Sequence, residues 1–293
     1  MLLQKAPELA TVEAVGSDVR TWLNGMVTCD LLPRKVGEGA FGLCVGKTGK
    51  ILAEVYIALA AADRFLIGMR HTAVAGILEH FDKHLVMEDV TVNDLSADHA
   101  WAFLHGDGVR DLAGTVSGGG AGFFPIDFTG KGSFAVIAPA AKANELWAAL
   151  VSEGVHIATE DEWNDYRVRN GVAAFGSDFD EHSYAQEAAL ERVAVSFSKG
   201  CYLGQEAVFM LQVRGHVKKR LVQLVVEGEG ARPGVPITVA DGTEVGLITS
   251  TSPSDPRLSL GHVKYKYAKP GEAFLVAGVP ARSTEVIPAP KEG

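Results

Sequence analysis

The chain has 293 residues, a formal net charge of −9 and an ordinary globular composition, with 47% hydrophobic and 22% charged residues. This length predicts two or three folded units, because single cores stop growing at about 250–300 residues. The negative charge argues against general nucleic-acid binding, whose sequence-independent part comes from neutralising phosphates.

Residues 1–10 lack the layout of a secretory signal, and no apolar run reaches the ~20 residues that cross a bilayer. We therefore expect a cytoplasmic protein. Cys29, Cys44 and Cys201 are widely spaced and form no CxxC pair. This spacing supports neither a disulfide framework nor a zinc ribbon, so each cysteine is considered alone.

A strand-helix-strand pattern occurs twice, at 65–92 and 134–157, and each helix carries one apolar stripe at i, i+3, i+4 and i+7. The stripes are Val74, Ile77, Leu78 and Phe81 in the first helix, and Ala143, Leu146, Trp147 and Leu150 in the second. Further strands are predicted at 41–45, 51–59, 100–104 and 122–128. We predict two ferredoxin-like α+β subdomains, 1–98 and 99–214, with the N-terminal strand free to join the second.

Two short motifs in the first subdomain have a functional and a structural interpretation. Gly46-Lys47-Thr48 could belong to a phosphate loop, but the upstream glycine is misplaced and a strand follows, which favours a hairpin turn. His80 and His84 are spaced like metal ligands on one helix face. No third ligand is evident, so a solvated surface is favoured and no metal site is predicted.

The C-terminal part changes to short strands at 217–226, 236–239, 245–250, 258–265 and 274–276, punctuated by Gly, Pro and Asp. This spacing predicts a small antiparallel barrel or sandwich over 215–293. A helix at about 160–170 precedes it and should end at Gly171, where a positive φ carries little penalty.

The segment Ser198-Lys199-Gly200-Cys201-Tyr202-Leu203-Gly204-Gln205-Glu206 is the strongest candidate site. A cysteine near a lysine, just before a helix that begins near Gly204, would have its thiolate favoured by positive charge and free N–H groups. A buried cysteine in a tight loop is the equally open alternative.

Basic residues alternate directly downstream at Arg214, His216, Lys218 and Arg220. Alternation along a strand would place them on one face, where an anionic tail could lie. An ordinary solvated strand face is the alternative.

The octet KGCYLGQE at 199–206 resembles the KGC(Y/F)xGQE motif of YgfZ-type folate-binding proteins. Other segments resemble pieces of the same family: YAQEAAL at 184–190 its PQEAxL stretch, 167–176 its R-(I/L)-E-x-G-x-P segment, and LNGMVTCD at 23–30 its LxGxxTxD helix end. Residues 242–252 and 260–263 resemble its barrel motifs. The resemblance thus extends over nearly the whole chain.

The resemblance implies a GcvT/YgfZ-like ring of three domains, two α+β subdomains and a β-barrel, shared with the glycine-cleavage aminomethyltransferase. It implies tetrahydrofolate, or a one-carbon derivative, bound in the central hole. The role implied is assembly or repair of iron-sulfur enzymes, including those that modify tRNA. Partners would then be folate and iron-sulfur client enzymes or cluster-assembly proteins, with no membrane and no direct nucleic-acid contact.

Residue roles follow from the same resemblance. The implied catalytic residues are Cys201, Lys199 and Glu54, with Lys199 expected to lower the pKa of the Cys201 thiol. The implied folate-binding residues are Gly200, Tyr202, Gly204, Gln205, Glu206, Arg169, Glu187 and Arg214.

This sequence departs from its relatives at several of these positions. Ala53 and Glu54 stand where aminomethyltransferases carry an Asp-Asp pair, and a displaced carboxylate can cost about 100-fold in rate. Arg169 replaces the acidic residue that reads the pterin, Met210 replaces an arginine, and Ala185 a proline. Two alternatives therefore stay open: a folate-dependent aminomethyl or methyl transferase using Glu54, and a scaffold that has lost folate.

Overall fold

The computed structural model of the chain describes residues 1–115, 120–213 and 217–284. Its strands are β1 (Leu2–Lys5), β2 (Leu9–Val15), β3 (Gly39–Val45), β4 (Ile51–Ala61), β5 (Arg64–Arg70), β6 (Thr91–Asp94), β7 (His99–His105), β8 (Gly122–Pro125), β9 (Phe134–Pro139), β10 (His156–Ile157), β11 (Lys219–Val226), β12 (Pro236–Thr238), β13 (Glu244–Thr251), β14 (Leu258–Lys264), β15 (Ala273–Val276) and β16 (Val279–Thr284).

The α-helices are α1 (Val19–Met26), α2 (His71–Asp82), α3 (Val109–Thr115), α4 (Ala143–Ser152), α5 (Glu160–Arg169), α6 (Glu191–Ala194) and α7 (Gln205–Val213). Single 3₁₀ turns lie at Ala140–Lys142 and Tyr265–Tyr267. Within the described ranges, none of these helices has the length and apolar character of a membrane span.

The chain divides into two units. The first comprises Met1–Lys47, Leu52–Ala158 and Val193–Gln205, and the second Thr48–Ile51, Thr159–Arg192 and Glu206–Gly293. The boundaries of the three predicted domains stay a prediction.

The first unit contains two five-stranded sheets, ordered β3-β4-β5-β2-β6 and β10-β1-β7-β9-β8. The N-terminal strand β1 lies in the second sheet, antiparallel to β7 and parallel to β10. The sheets approach closely where β5 passes Trp101, because a Cβ on Gly68 would lie 2.9 Å from the indole ring. The indole Nε1 donates to Thr11 Oγ1 at 2.9 Å across this contact.

The two predicted apolar stripes cover these sheets as expected. Val74, Ile77 and Phe81 of α2 are buried against the first sheet, and Ala143, Trp147 and Leu150 of α4 against the second. Burial of the larger aliphatic and aromatic side chains among these contributes about 1.5–3 kcal/mol each, which holds these short helices in place.

The second unit contains a closed six-stranded barrel, β11-β14-β13-β12-β15-β16. All its neighbouring strands pair antiparallel. The predicted barrel is confirmed; β16 was absent from the prediction because its Val-Pro-Ala-Arg-Ser-Thr sequence alternates only weakly. Helix α5 ends as predicted, since Gly171 follows it with a φ of +69°.

Candidate functional site

Residues 199–205 of the KGCYLGQE segment belong to the first unit and form a loop that leads into α7. Cys201 is exposed and Gly200 beside it is exposed, whereas Lys199 and Tyr202 are buried. The alternative of a cysteine sealed in a tight loop is therefore wrong. Gln205 and Glu206 open α7, with the Gln205 N–H donating to Tyr202 O at 3.1 Å.

Lys199 is held by three backbone carbonyls, which we call the carbonyl cage. Its Nζ donates to Asn24 O at 2.6 Å, Val27 O at 2.8 Å and Cys29 O at 2.5 Å. The residue is 8% exposed. An ammonium has three donor hydrogens, so these bonds use its full capacity. Burial lowers the pKa of Lys199 to about 8, and it therefore remains mainly protonated at neutral pH.

Neutral hydrogen bonds also connect the end of α1 to residues 194–203, the segment that contains Cys201. The Thr28 hydroxyl donates to Ala194 O at 2.6 Å and accepts from Leu43 N at 2.9 Å. The Thr28 carbonyl accepts from Ser196 N, and Leu203 N donates to Gly25 O, both at 2.9 Å. The loop that carries Cys201 is thus fixed to the end of α1 on both sides of the cysteine.

Gly200 and Gly204 differ in their surroundings. Gly204 has a φ of +80°, and a Cβ there would collide with the carbonyl oxygen of Gly46 in the turn after β3. A Cβ on Gly200 would have no neighbouring atom within 4 Å. Gly204 is therefore required by the backbone, while the space beside Gly200 is open to a ligand.

Cys201 is also distinguished from the other two cysteines by exposure. Burial raises the pKa of Cys29 to about 11 and raises that of Cys44 further. Since the thiolate is the nucleophile, these two buried thiols are suppressed at neutral pH. Cys201 is the accessible thiol of the chain.

Glu54 on β4 is a second ionisable group of the first unit with an altered environment. It is 9% exposed, and its Oε2 lies 3.8 Å from Nε of Arg70, a loose ion pair. Burial raises the pKa of Glu54 to about 7, which the nearby Arg70 only partly offsets. A carboxyl that titrates near neutrality is typical of functional sites.

The predicted folate-binding residues Arg169 and Glu187 lie in the second unit. The guanidinium of Arg169 is exposed and donates to Asp165 Oδ2 at 2.6 Å and to Ser254 Oγ at 2.8 Å. Partial burial opposes ionisation of Asp165, but hydrogen bonds from Arg169, Ser252 and Ser254 lower its pKa to about 2.

Glu187 is buried, and its Oε2 accepts from Tyr184 N at 3.2 Å. Arg214, together with His216 of the predicted basic strand face, lies outside the described residues. In the rest of that strand face, Lys218 is exposed, and Nη2 of Arg220 donates to Oε1 of Glu191 at 2.5 Å. The roles of the predicted binding residues stay a prediction.

The two weaker motifs have structural explanations. Residues 47–49 form the turn between the adjacent strands β3 and β4, as the hairpin interpretation predicts. His84 bonds through Nδ1 to the carbonyl oxygen of His80 at 2.7 Å. In the parts of the chain that the structure describes, no three His, Cys, Asp or Glu side chains are placed to hold a metal ion.

Sequence reasoning overlooked a buried polar cluster of the second unit. Arg167 donates to Asp178 Oδ2 at 2.8 Å and to Ser250 Oγ at 2.9 Å, all three residues being buried. Asp178 also accepts from Thr249 and Ser250. Arg167 opens the segment that resembles the family's R-(I/L)-E-x-G-x-P stretch, and that was the available signal.

Comparison with known proteins bears on both units. The family model described as the GCVT N-terminal domain matches residues 6–121. The aminomethyltransferase of Herpetosiphon aurantiacus is 25% identical, with 95% of this chain and 83% of the relative covered. That of Rubrobacter xylanophilus is 28% identical, covering 80% and 68%. The crystal structure of glycine cleavage system aminomethyltransferase T from Bartonella henselae superposes with a TM-score of 0.82 at 18% identity, covering 97% of this chain and 85% of that one.

The chain has the GcvT-like fold. The matches to the family model and the two aminomethyltransferases support the GcvT-like superfamily, and the predicted fold class, α+β sheets followed by a C-terminal antiparallel barrel, is confirmed. In this GcvT-like chain the family model ends at residue 121, well before the Cys201 loop. The matched region contains Glu54 and the carbonyl cage, whereas the KGCYLGQE loop lies beyond it.

Proposed function

We propose that this protein is a cytoplasmic, tetrahydrofolate-binding accessory protein of the YgfZ type that supports the assembly or repair of iron-sulfur enzymes. The observation that carries the proposal is the KGCYLGQE loop, in which an exposed Cys201 sits two residues from an anchored Lys199. The thiol would act on a cluster, a persulfide or a folate-borne one-carbon unit. The proposed iron-sulfur client enzymes include those that modify tRNA.

The proposal assigns Lys199 the positioning of the Cys201 loop. Its three donors are taken up by the carbonyl cage, and its ammonium also lies 5.3 Å from the centre of the Tyr202 ring. A loop fixed in this way presents the thiol in one place, which reduces the entropy lost when it meets a partner.

Tetrahydrofolate fits the chemistry of the first unit at Glu54. A buried carboxyl with a pKa near 7 can accept a hydrogen bond as the anion or donate one as the acid. Arg169 cannot replace the acidic pterin-reading residue of relatives, because a guanidinium has no acceptor. Glu54 is therefore the residue that we assign to the bound folate.

The cysteine is tested in cells that lack the endogenous protein, by assaying an iron-sulfur enzyme. Wild type should restore its activity, while Cys201→Ala and Cys201→Ser should not. Ser198→Ala, an exposed change in the same loop, is the matched control and should restore activity. Full activity with Cys201→Ala would remove the cysteine from the mechanism.

Folate binding is tested separately by calorimetry and thermal shift with tetrahydrofolate. A ligand at 100 times its Kd should stabilise the protein by about 2.7 kcal/mol. If saturating tetrahydrofolate gave no heat of binding and no thermal shift, the protein would instead be a scaffold that no longer binds folate.

A folate-dependent aminomethyl or methyl transferase is the second candidate. It is favoured by the names of the relatives and by the buried carboxyl of Glu54, which could balance a cationic intermediate. Turnover of a methylamine donor by purified protein with tetrahydrofolate would support it, and Glu54→Gln should abolish that turnover. Absence of turnover, with folate bound, would leave the accessory role.

A further inference from the structure

The second unit contains a cavity of about 640 Å³ to which the proposed function assigns no role. The 176–183 loop and parts of β13 and β14 line it. Small-molecule sites in proteins occupy about 300–1,000 Å³, so the cavity has the size of a ligand site.

His262, on the wall of this cavity, has one unused nitrogen. Its Nε2 lies 2.6 Å from the carbonyl oxygen of Asp178. A carbonyl only accepts, so Nε2 carries the hydrogen and Nδ1 of the neutral ring is an acceptor. Nδ1 is buried, with no hydrogen-bond partner among the described residues, and the whole residue is 9% exposed. A buried polar atom left unpaired is unfavourable, and a ligand donor would relieve that cost.

The neutral form of His262 is the dominant one. Burial lowers its pKa, and the positive charge of Lys219 lowers it further, against the raising effects of the hydrogen bond to the Asp178 carbonyl and of the Asp178 and Asp180 carboxylates. The ring is therefore neutral at physiological pH, and Nδ1 requires an N–H or O–H from elsewhere.

Lys219 supplies an available cation at the same cavity. Its side chain is exposed and lines the cavity, and its ammonium makes no hydrogen bond or ion pair with any residue in the described ranges. Lys264, also on the wall, differs because it donates to Glu244 O at 2.9 Å. Lys219 is thus the group that an incoming anion would meet.

The other charges in the wall limit the charge of that anion. The carboxylate of Asp178 is saturated by Arg167, Thr249 and Ser250. Asp180 accepts from Ser183 and, with Glu244, adds negative charge to the lining. A dianion such as phosphate would be repelled by these two carboxylates, whereas a monoanion that meets Lys219 is tolerated.

An apolar side chain completes the lining. Leu247 is 44% exposed although it lies on a barrel strand, and Val245 and Val263 lie on the same wall. An apolar ligand body would remove the Leu247 side chain from water, which favours binding.

We propose that this cavity binds a small hydroxycarboxylate, with its carboxylate on Lys219, its hydroxyl donating to Nδ1 of His262 and its apolar body against Leu247. The site goes beyond the proposed function, which uses Cys201 and Glu54, and the two can fail independently.

The test uses the full-length protein and three probes, 3-hydroxybenzoate, benzoate and 3-hydroxybenzyl alcohol, titrated by NMR. We expect 3-hydroxybenzoate to bind, and removal of its hydroxyl or of its carboxylate to weaken binding about five- to tenfold each. In the wild-type protein the ¹⁵N resonance of His262 Nδ1 should move upfield with 3-hydroxybenzoate and stay in place with benzoate.

Two variants distinguish binding at this cavity from nonspecific attraction of the anion to surface lysines. Lys219→Met should lower affinity for 3-hydroxybenzoate to that of the alcohol, while Lys218→Met, an exposed neighbour outside the cavity, should leave it unchanged. The proposal is overturned by the absence of binding up to about 10 mM, by equal affinity in Lys219→Met, or by an unmoved Nδ1 resonance. The last measurement needs no variant and is therefore independent of folding defects.

Discussion

Lys199 and Glu54 are both buried charged residues of the first unit, but their surroundings are opposite. Lys199 gives all three of its hydrogens to carbonyl oxygens at 2.5–2.8 Å. Within the described ranges Glu54 has one ion-pair partner, Arg70, whose Nε lies 3.8 Å from Oε2. All the donor hydrogens of the first charge are bonded after it leaves water, whereas the second charge has a single loose ion pair among the described residues.

This difference separates an anchoring charge from a reactive one. A saturated buried charge holds its neighbours in position, because any movement would leave several polar groups unpaired. A carboxyl with few partners is free to change protonation or to meet a ligand. We therefore assign the positioning of Cys201 to Lys199, and assign to Glu54 a function that it serves at the expense of stability.

Lys199→Met is expected to have the largest effect. It removes three charge-assisted hydrogen bonds and leaves the carbonyl cage unpaired, which should lower the free energy of unfolding by roughly 4 kcal/mol. Urea denaturation at pH 7 measures it. The matched control is Lys47→Met, at an exposed turn, which should change stability by less than about 0.5 kcal/mol. Equal urea midpoints for the two variants would show that Lys199 stabilises the fold no more than an exposed lysine does. Its assignment as an anchoring charge, in contrast to Glu54, would then be wrong.

Gly204→Ala tests whether the loop is held by backbone contacts as well as by charge. A methyl group there would collide with Gly46 O and occupy a left-handed conformation, so we expect a loss of about 3 kcal/mol. Gly200→Ala, four residues earlier, meets no atom within 4 Å and should alter stability by less than about 0.5 kcal/mol. Similar losses in both variants would contradict the anchored loop.

Thr28→Val measures how much the neutral hydrogen bonds of the loop contribute to stability apart from the charge of Lys199. The change keeps the shape of the side chain but leaves Ala194 O and Leu43 N unpaired, at a cost of about 2–3 kcal/mol. Thr72→Val, exposed on α2, is the control and should be nearly neutral. If Thr28→Val were neutral too, the hydrogen bonds of the Thr28 hydroxyl would not contribute to holding the loop.

The fold could be predicted where periodicity is strong. The stripes of α2 and α4 and the short strands of the barrel follow from spacing alone, because one face of each element must be buried. Strand β16 could not be found, since Pro280 and Arg282 interrupt its apolar pattern. The pairing of β1 with β10 was equally hidden, because it joins residues about 150 positions apart.

The sequence named the residues of the candidate site, which stay a prediction, but it could not give their contacts. Lys199 stands two residues before Cys201 in sequence, and this suggested a direct electrostatic effect on the thiol. The structure adds that the ammonium is bonded to carbonyls of residues 24–29, some 170 residues earlier. A contact of that sequence separation leaves no local pattern, so only the LxGxxTxD resemblance pointed to that region.

The effect of Glu54→Gln should have the opposite sign to those of the other variants in this series. Because burial raises its pKa from 4.5 to about 7, Glu54 contributes stability below pH 4.5 that is lost as pH rises through 7. Relative to the Gln variant, wild-type stability should therefore fall across this window, and the Gln variant should exceed wild type by about 3 kcal/mol above pH 7. Buried His105, whose pKa is lowered to about 4, raises stability over the same window in both proteins, so the difference between them isolates Glu54.

Glu153→Gln, exposed at the end of α4, is the control and should keep the wild-type step. Denaturation curves at about pH 4.5, 6 and 8 measure the free energy of unfolding of the wild type and of both variants. If Glu54→Gln lost stability at the highest pH instead, Arg70 would be compensating the carboxylate fully. Glu54 would then belong with Lys199 among the anchoring charges, and the reason to assign it to folate would disappear.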